Sequence, residues 1–266
     1  DLYSYYRRYY VPNNASIVVV GDVHTDDVLR RVERHFGKIP TGPTPPRQRT
    51  VEPAQTGERR VTIRQPGTTA YLKVAYHSPA IGDPAFYALL LLDAALTGAY
   101  GLNLWSSFRL PPPQRSTRLY RALVGGGLAS AVSGMLMPTE LPFVYIISVT
   151  ATDGTPLAAV EQALVSEIDR VAREGITPAE LAKAKAQLQA RLVFENDSVT
   201  NIAHQIGYFE TIAGVEVFEQ FRPRIAAVTL DEVAAAAKSM LTESNRTVGW
   251  FDPLRSEEHT SELQSP

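Results

Sequence analysis

The chain has no cysteine. That excludes a disulfide frame, a thiol nucleophile and any thiolate metal site, and it removes the usual redox clue to compartment. Charge of one sign is not in excess either. Lys and Arg number 26 against 28 Asp and Glu, a formal −2 over 266 residues, so neither nucleic acid nor an anionic membrane is an expected partner. Long hydrophobic runs are missing too. The most apolar stretch, Phe86 to Leu96, is too short to cross a bilayer and contains Asp93. No leader or transit segment is visible, and the chain opens on Asp1 with no initiator Met, so the expectation is a piece of a longer protein. What remains is 44% hydrophobic and 20% charged, an ordinary globular composition that excludes disorder, collagen and a coiled coil as the whole answer.

The pattern along the chain predicts several elements. Tyr3, Tyr6 and Tyr10 fall near helical spacing, and Pro12-Asn13-Asn14 stops that helix. Ser16 to Val20 is a β-branched run that predicts a buried strand ending at Gly21-Asp22. Asp26 to Phe36 places Val28, Leu29, Val32 and Phe36 on one helix face, with Gly37 as the stop. From Thr41 to Arg60 four prolines and no apolar period predict a semi-extended linker, and so a domain boundary between residues 1–40 and 61–253.

After that linker the order is strands, paired helices and a strand. Val61 to Ile63 and Ala70 to His77 read as strands, and Asp83-Pro84 opens a helix. Gly98 to Gln114 is an irregular loop holding Trp105 and Pro111-Pro112-Pro113, followed by a short helix from Thr117 to Leu123. Leu128 to Met135 and Phe143 to Thr152 form an expected antiparallel hairpin. Helices follow over Pro156–Arg173, from Thr177 to about Phe194 and over Asn201–Ala213, then one over Val233–Leu241. Thr177-Pro-Ala-Glu180 and Thr229-Leu-Asp-Glu232 are capping boxes. Arg246 to Phe251 is a closing strand. The expected class is α+β, a two-layer mixed sheet packed on helices. The segment 254–266 is polar and aperiodic; it matches the in-frame translation of a common sequencing adapter and reads as a non-native tail in which His259 carries no meaning.

Little in the chain points to self-contained chemistry. The five histidines are His24, His35, His77, His204 and His259. A zinc hydrolase needs three close protein ligands, commonly two histidines one helical turn apart plus an acid. Neither His-Glu-x-x-His nor His-x-x-Glu-His occurs, so these histidines read as surface or capping residues. There is no Gly-x-Ser-x-Gly elbow, phosphate loop or dinucleotide fingerprint. Gly125-Gly126-Gly127 reads as a flexible turn more readily than as an anion cradle. Asp26-Asp27 and Asp231-Glu232 sit at helix starts, where they complement the dipole.

Several strings together resemble a family. Tyr9-Tyr10-Val-Pro-Asn-Asn-Ala15 and Val18-Val-Val-Gly-Asp22 resemble the end of the first domain of the insulinase/pitrilysin-type M16 peptidases. Ala75-Tyr-His-Ser-Pro79 with Asp83-Pro84, then Arg118-Leu-Tyr-Arg-Ala-Leu123, resemble their second repeat. The likeness runs from about residue 1 to 253. It implies an M16 (LuxS/metallohydrolase-like) repeat, with residues 1–40 ending a first domain, 41–60 a Pro-rich linker and 61–253 a second domain. It also implies a clamshell zinc endopeptidase whose His-x-x-Glu-His motif and further Glu ligand would both precede Asp1. No zinc ligand therefore falls on this sequence: zinc is expected in the parent protein and none on this chain.

The function implied is the non-zinc wall of a chamber for a peptide or unfolded polypeptide, facing the zinc-bearing domain. The alternative is a non-catalytic partner or scaffold subunit of an M16-like heterodimer. A third class, an unrelated module that pairs a peptide to an exposed strand edge, also stays open. Some M16 members set an Arg and a Tyr from the second-repeat hairpin against substrate. Tyr145 stands on the corresponding strand, while the loop Met135 to Leu141 has no Arg, so Tyr145 is the one candidate substrate-binding residue; its plainer reading is a cross-strand aromatic. The resemblance leans the location to the periplasm without fixing it.

Overall fold

A computed structural model describes residues 1–46, 50–100 and 114–254. Trp105, Pro111-Pro112-Pro113 and the tail with His259 lie outside the described residues. The described residues divide into two compact units, one within 1–54 and 193–221, the other within 55–192 and 222–254.

The larger unit is built on a five-stranded sheet. Its strands are β1 (Arg59–Pro66), β2 (Tyr71–Ser78), β3 (Ala129–Leu136), β4 (Phe143–Ala151) and β5 (Arg246–Leu254), in the order β1-β5-β2-β4-β3. β1 runs parallel to β5, and the other pairs are antiparallel, so the sheet is mixed. Helices α3 (Pro84–Leu96), α4 (Leu157–Glu174) and α8 (Leu230–Met240) pack against one face, α3 meeting β3 and α8, and α4 meeting β2 and α8. The α+β class read from the sequence is the one observed.

The local causes are visible. Leu72, Val74 and Tyr76 alternate with Tyr71, Lys73 and Ala75 along β2, and only the first set is buried. α3 is apolar all round and buried all round from Phe86 to Leu96, which makes it the centre of the helix layer. Asp83 caps it, Oδ1 accepting from the Ala85 amide at 2.9 Å, with Pro84 in the first turn. Helix α5 (Pro178–Glu195) starts at the expected box, where Glu180 Oε2 accepts from the Thr177 amide at 2.8 Å. α8 starts at the other, where Glu232 Oε2 accepts from the Thr229 amide at 2.7 Å. After the helical turn Tyr120–Val124, the Leu128 amide donates to the Leu123 carbonyl at 2.9 Å with Gly127 at φ +75°. The triple glycine is thus a helix stop that uses a left-handed residue.

The smaller unit holds α1 (Leu2–Tyr9), α2 (Thr25–Phe36), α6 (Val199–Ile212) and the start of α7 (Val215–Ala227). Its apolar centre is Phe209, whose ring lies 5.4 Å from Phe218 and 5.7 Å from Phe221. None of the described residues between 1 and 54 is buried.

Three expectations change. Ser16 to Val20 forms no strand, and Ile17 and Val19 stay exposed. A strand needs a ladder partner for its amides and carbonyls, and the five strands of the described residues pair only with one another. The linker does not extend to Arg60: β1 begins at Arg59, and Gln55 Nε2 already donates to the Arg246 carbonyl at 2.8 Å. α7 is an addition to the sequence pattern: Pro223 inside it forfeits one intrahelical bond, but Phe221 and Ile225 on either side are buried and hold the helix.

Candidate functional site

One row of side chains crosses the sheet on its helix-covered face. Tyr145 of β4 stands opposite Tyr76 of β2, and Tyr76 stands opposite Arg246 of β5. The Tyr145 hydroxyl donates to Asp93 Oδ1 of α3 at 2.7 Å, and the Thr97 hydroxyl donates to the same oxygen at 2.6 Å. Burial pushes the Asp93 carboxyl up to about 6, while the hydrogen bonds from Thr97 and Tyr145 pull it the other way. Burial, then the neighbouring Asp93 charge, raise the Tyr145 phenol well above its ordinary range. Tyr76 is pushed up to about 12 by burial against the pull of Arg246, and Tyr100 to about 12 by burial and by Asp93. These phenols keep their protons at neutral pH, so Tyr145 acts as a fixed donor that ties sheet to helix.

Tyr145, the candidate residue of the hairpin likeness, is fully buried. The cause is the two-residue period of β4. Tyr145, Ile147, Val149 and Ala151 face the helices, and Val144, Ile146, Ser148 and Thr150 face away. Its cross-strand pairing with Tyr76 matches the plainer reading. Gly134 of β3 passes over this cluster so closely that a Cβ there would sit 2.5 Å from Thr97 Oγ1 and overlap Asp93 Oδ1.

Several ionic groups of the larger unit pair with one another. Arg246 pairs with Glu58, Arg60 with Glu58 at 2.5 Å and with Glu161, and Trp250 Nε1 donates to Glu161 Oε2 at 2.7 Å. Arg118 forks onto Glu180 at 2.8 and 2.7 Å and reaches Glu167 at 3.5 Å. That fork, then the Thr177 amide, pull Glu180 down to about 2 against its burial.

The histidines do not converge. His24 precedes α2, His35 sits in its last turn, His204 is on α6, and His77 Nδ1 lies 2.9 Å from Asn245 Oδ1. Among the described residues no three His, Asp or Glu side chains form a group that could hold a metal ion. As placed, the described residues do not fit a zinc ion.

The sheet face turned away from the helices is open. The register aligns Arg59–Thr247–Ala75–Ile146–Met135, then Val61–Gly249–Lys73–Ser148–Ser133, then Ile63–Phe251–Tyr71–Thr150–Ala131 across it. Val61, Ile63, Tyr71 and Met135 are between 43% and 52% exposed. The Tyr71 and Phe251 rings touch at 5.9 Å. Large apolar side chains left exposed on one face, here Val61, Ile63 and Tyr71 with Phe251 between, mark a surface that meets another molecule or another part of a larger protein.

The sequence model of the family described as "Peptidase M16 inactive domain" matches residues 1–188. The chain belongs to the M16 peptidase family. The zinc protease PqqE of Helicobacter pylori is 21% identical over 259 residues, covering 95% of this chain and 54% of that protein. An uncharacterized zinc protease of Mycobacterium tuberculosis is 27% identical over 245 residues, covering 91% and 52%. The crystal structure of a protease from Helicobacter pylori superposes with a TM-score of 0.84 at 20% identity over 95% of this chain and 58% of that one, a likeness of fold. The chain spans about half the length of the curated relatives it matches. This M16 chain is thus of the inactive-domain type, in a family whose relatives include named zinc proteases.

Proposed function

We propose that this chain is the non-zinc part of an M16-type zinc endopeptidase, and that the open face of its sheet is the wall against which a peptide or unfolded polypeptide lies. The observation that carries this is the one-sided sheet. Its inner face is filled by α3, α4 and α8, and its outer face leaves Val61, Ile63 and Tyr71 exposed towards one edge and Met135 at the other. In this reading residues 1–40 complete the preceding, zinc-bearing lobe, which agrees with the lack of any buried residue among the described residues of 1–54.

The chain's own groups bind and exclude water; the metal's chemistry belongs to the other lobe. The apolar strips hold side chains of an extended substrate, and closure of the two lobes removes solvent from the bond to be cut. The test is to express the longer protein that carries this segment and follow cleavage of an unstructured peptide with and without a chelator. Cleavage abolished by chelator is expected; chelator-insensitive cleavage, or none, counts against the proposal.

A second reading is a non-catalytic partner of a heterodimer. It is favoured by the absence of an Arg in the hairpin loop and the burial of Tyr145, which leave this repeat without a polar pair for substrate. An intact His-x-x-Glu-His in the adjoining lobe decides for the enzyme.

A further inference from the structure

Resting on the reading that the open sheet face lines a peptide chamber, we infer that this face selects extended polypeptides carrying acidic residues among bulky apolar ones. The observation is one of composition by face. The chain as a whole has slightly more acids than bases. On the outward positions of the five strands, however, the charged residues are Arg59 and Lys73, with no Asp or Glu among them. The carboxylates of the strands and of the helix layer lie elsewhere: Asp252 pairs with Arg64, and Glu161 with Arg60.

Lys73 stands in the middle of the sheet. It lies on the row Val61–Gly249–Lys73–Ser148, flanked along its own strand by Tyr71 and Ala75. A glycine beside it on β5 leaves its stem uncrowded, so the ammonium stays at the surface while the methylenes lie on the apolar strip.

Two features then fix the occupant. Val61, Ile63, Tyr71 and Met135 ask for apolar side chains spaced along an extended chain. Lys73 repels a basic segment and attracts an acidic one. A second copy of this face is a poor match, because it brings the same cations and no carboxylate of its own.

The test uses the 266-residue chain and three fluorescein-labelled unstructured peptides that share one pattern of Phe and Leu, separated by Glu, by Gln or by Lys. Anisotropy titrations at low ionic strength are expected to show the Glu peptide binding roughly tenfold tighter than the Lys peptide, the size of a swing from attraction to repulsion at exposed cations. Added salt shrinks the difference. Lys73→Gln reduces it and Lys73→Glu abolishes or inverts it, with the circular dichroism of both variants unchanged. Equal affinity for the three peptides, or a preference untouched by both Lys73 variants, overturns this inference and leaves the chamber-wall reading standing. Failure of all three peptides to bind overturns both.

Discussion

The hydroxyl of Tyr145 and the carboxylate of Asp93, on the central helix of the other layer, are joined at 2.7 Å with no solvent between them. Fifty-two residues apart in sequence, they fasten β4 to α3 at the point where Gly134 lets β3 come closest.

This pair sets a pH dependence. Asp93 titrates at about 6 in the fold and near 3.8 when its surroundings are lost. Between those values the folded state holds the extra proton, so stability is highest below about pH 4 and falls as pH rises through about 6. The swing is of the order of 3 kcal/mol. Urea denaturation at pH 4.5 and pH 7 should show Asp93→Asn losing this dependence. Tyr145→Phe should cost about 1–3 kcal/mol at pH 7 by leaving a buried charge short of a donor.

Gly134→Ala introduces a methyl group where Thr97 and Asp93 already sit. The backbone there is ordinary, so the cost is steric and comes from moving β3 off α3. A loss of about 2 kcal/mol in denaturant unfolding is expected, while an alanine at the solvent-facing neighbour Ser133 should change stability by less than about 0.5 kcal/mol.

Glu180 serves Arg118 and the α5 cap at once. Glu180→Gln keeps a weaker cap but leaves the largely buried Arg118 with Glu167 alone. A cost of about 2 kcal/mol at pH 7 is expected. Because the carboxyl is pulled from 4.5 down to about 2, its stabilisation is present above pH 4.5 and lost as pH falls towards 2. The variant should unfold with a flatter acid limb.

Hydrogen exchange should divide the chain. Amides of α1 and α2 lack burial over them, whereas those of α3, β2 and β4 lie beside the core. The first group is expected to exchange well before the second; equal protection of both would contradict the idea that 1–40 belongs with a further lobe.

Much of the larger unit was legible in the sequence because local signals agreed with one another. Asp83-Pro84 and the two Thr-x-x-Glu boxes start helices where the structure has them, and the β3–β4 hairpin is close to its predicted bounds. What stayed hidden depended on long-range pairing. The alternation at Val61 to Ile63 marks only the middle of β1; that the strand runs over Arg59–Pro66 depends on β5, nearly two hundred residues later, which offers it a parallel ladder. The face that Tyr145 takes is ambiguous in the sequence because Val144 and Ile146 on either side of it are apolar too. The lone Asp93 in an otherwise apolar helix, with Thr97 one turn on, was the available signal that something polar must reach it.

The most direct test of the chamber-wall account is reconstitution from two polypeptides: the adjoining zinc-bearing lobe and the 266-residue chain, each purified alone and then mixed with a quenched fluorescent peptide. The account predicts no cleavage by this chain, little by the zinc lobe, and chelator-sensitive cleavage when the two are combined. Cleavage by this chain alone, or a zinc lobe equally active without it, would contradict the account.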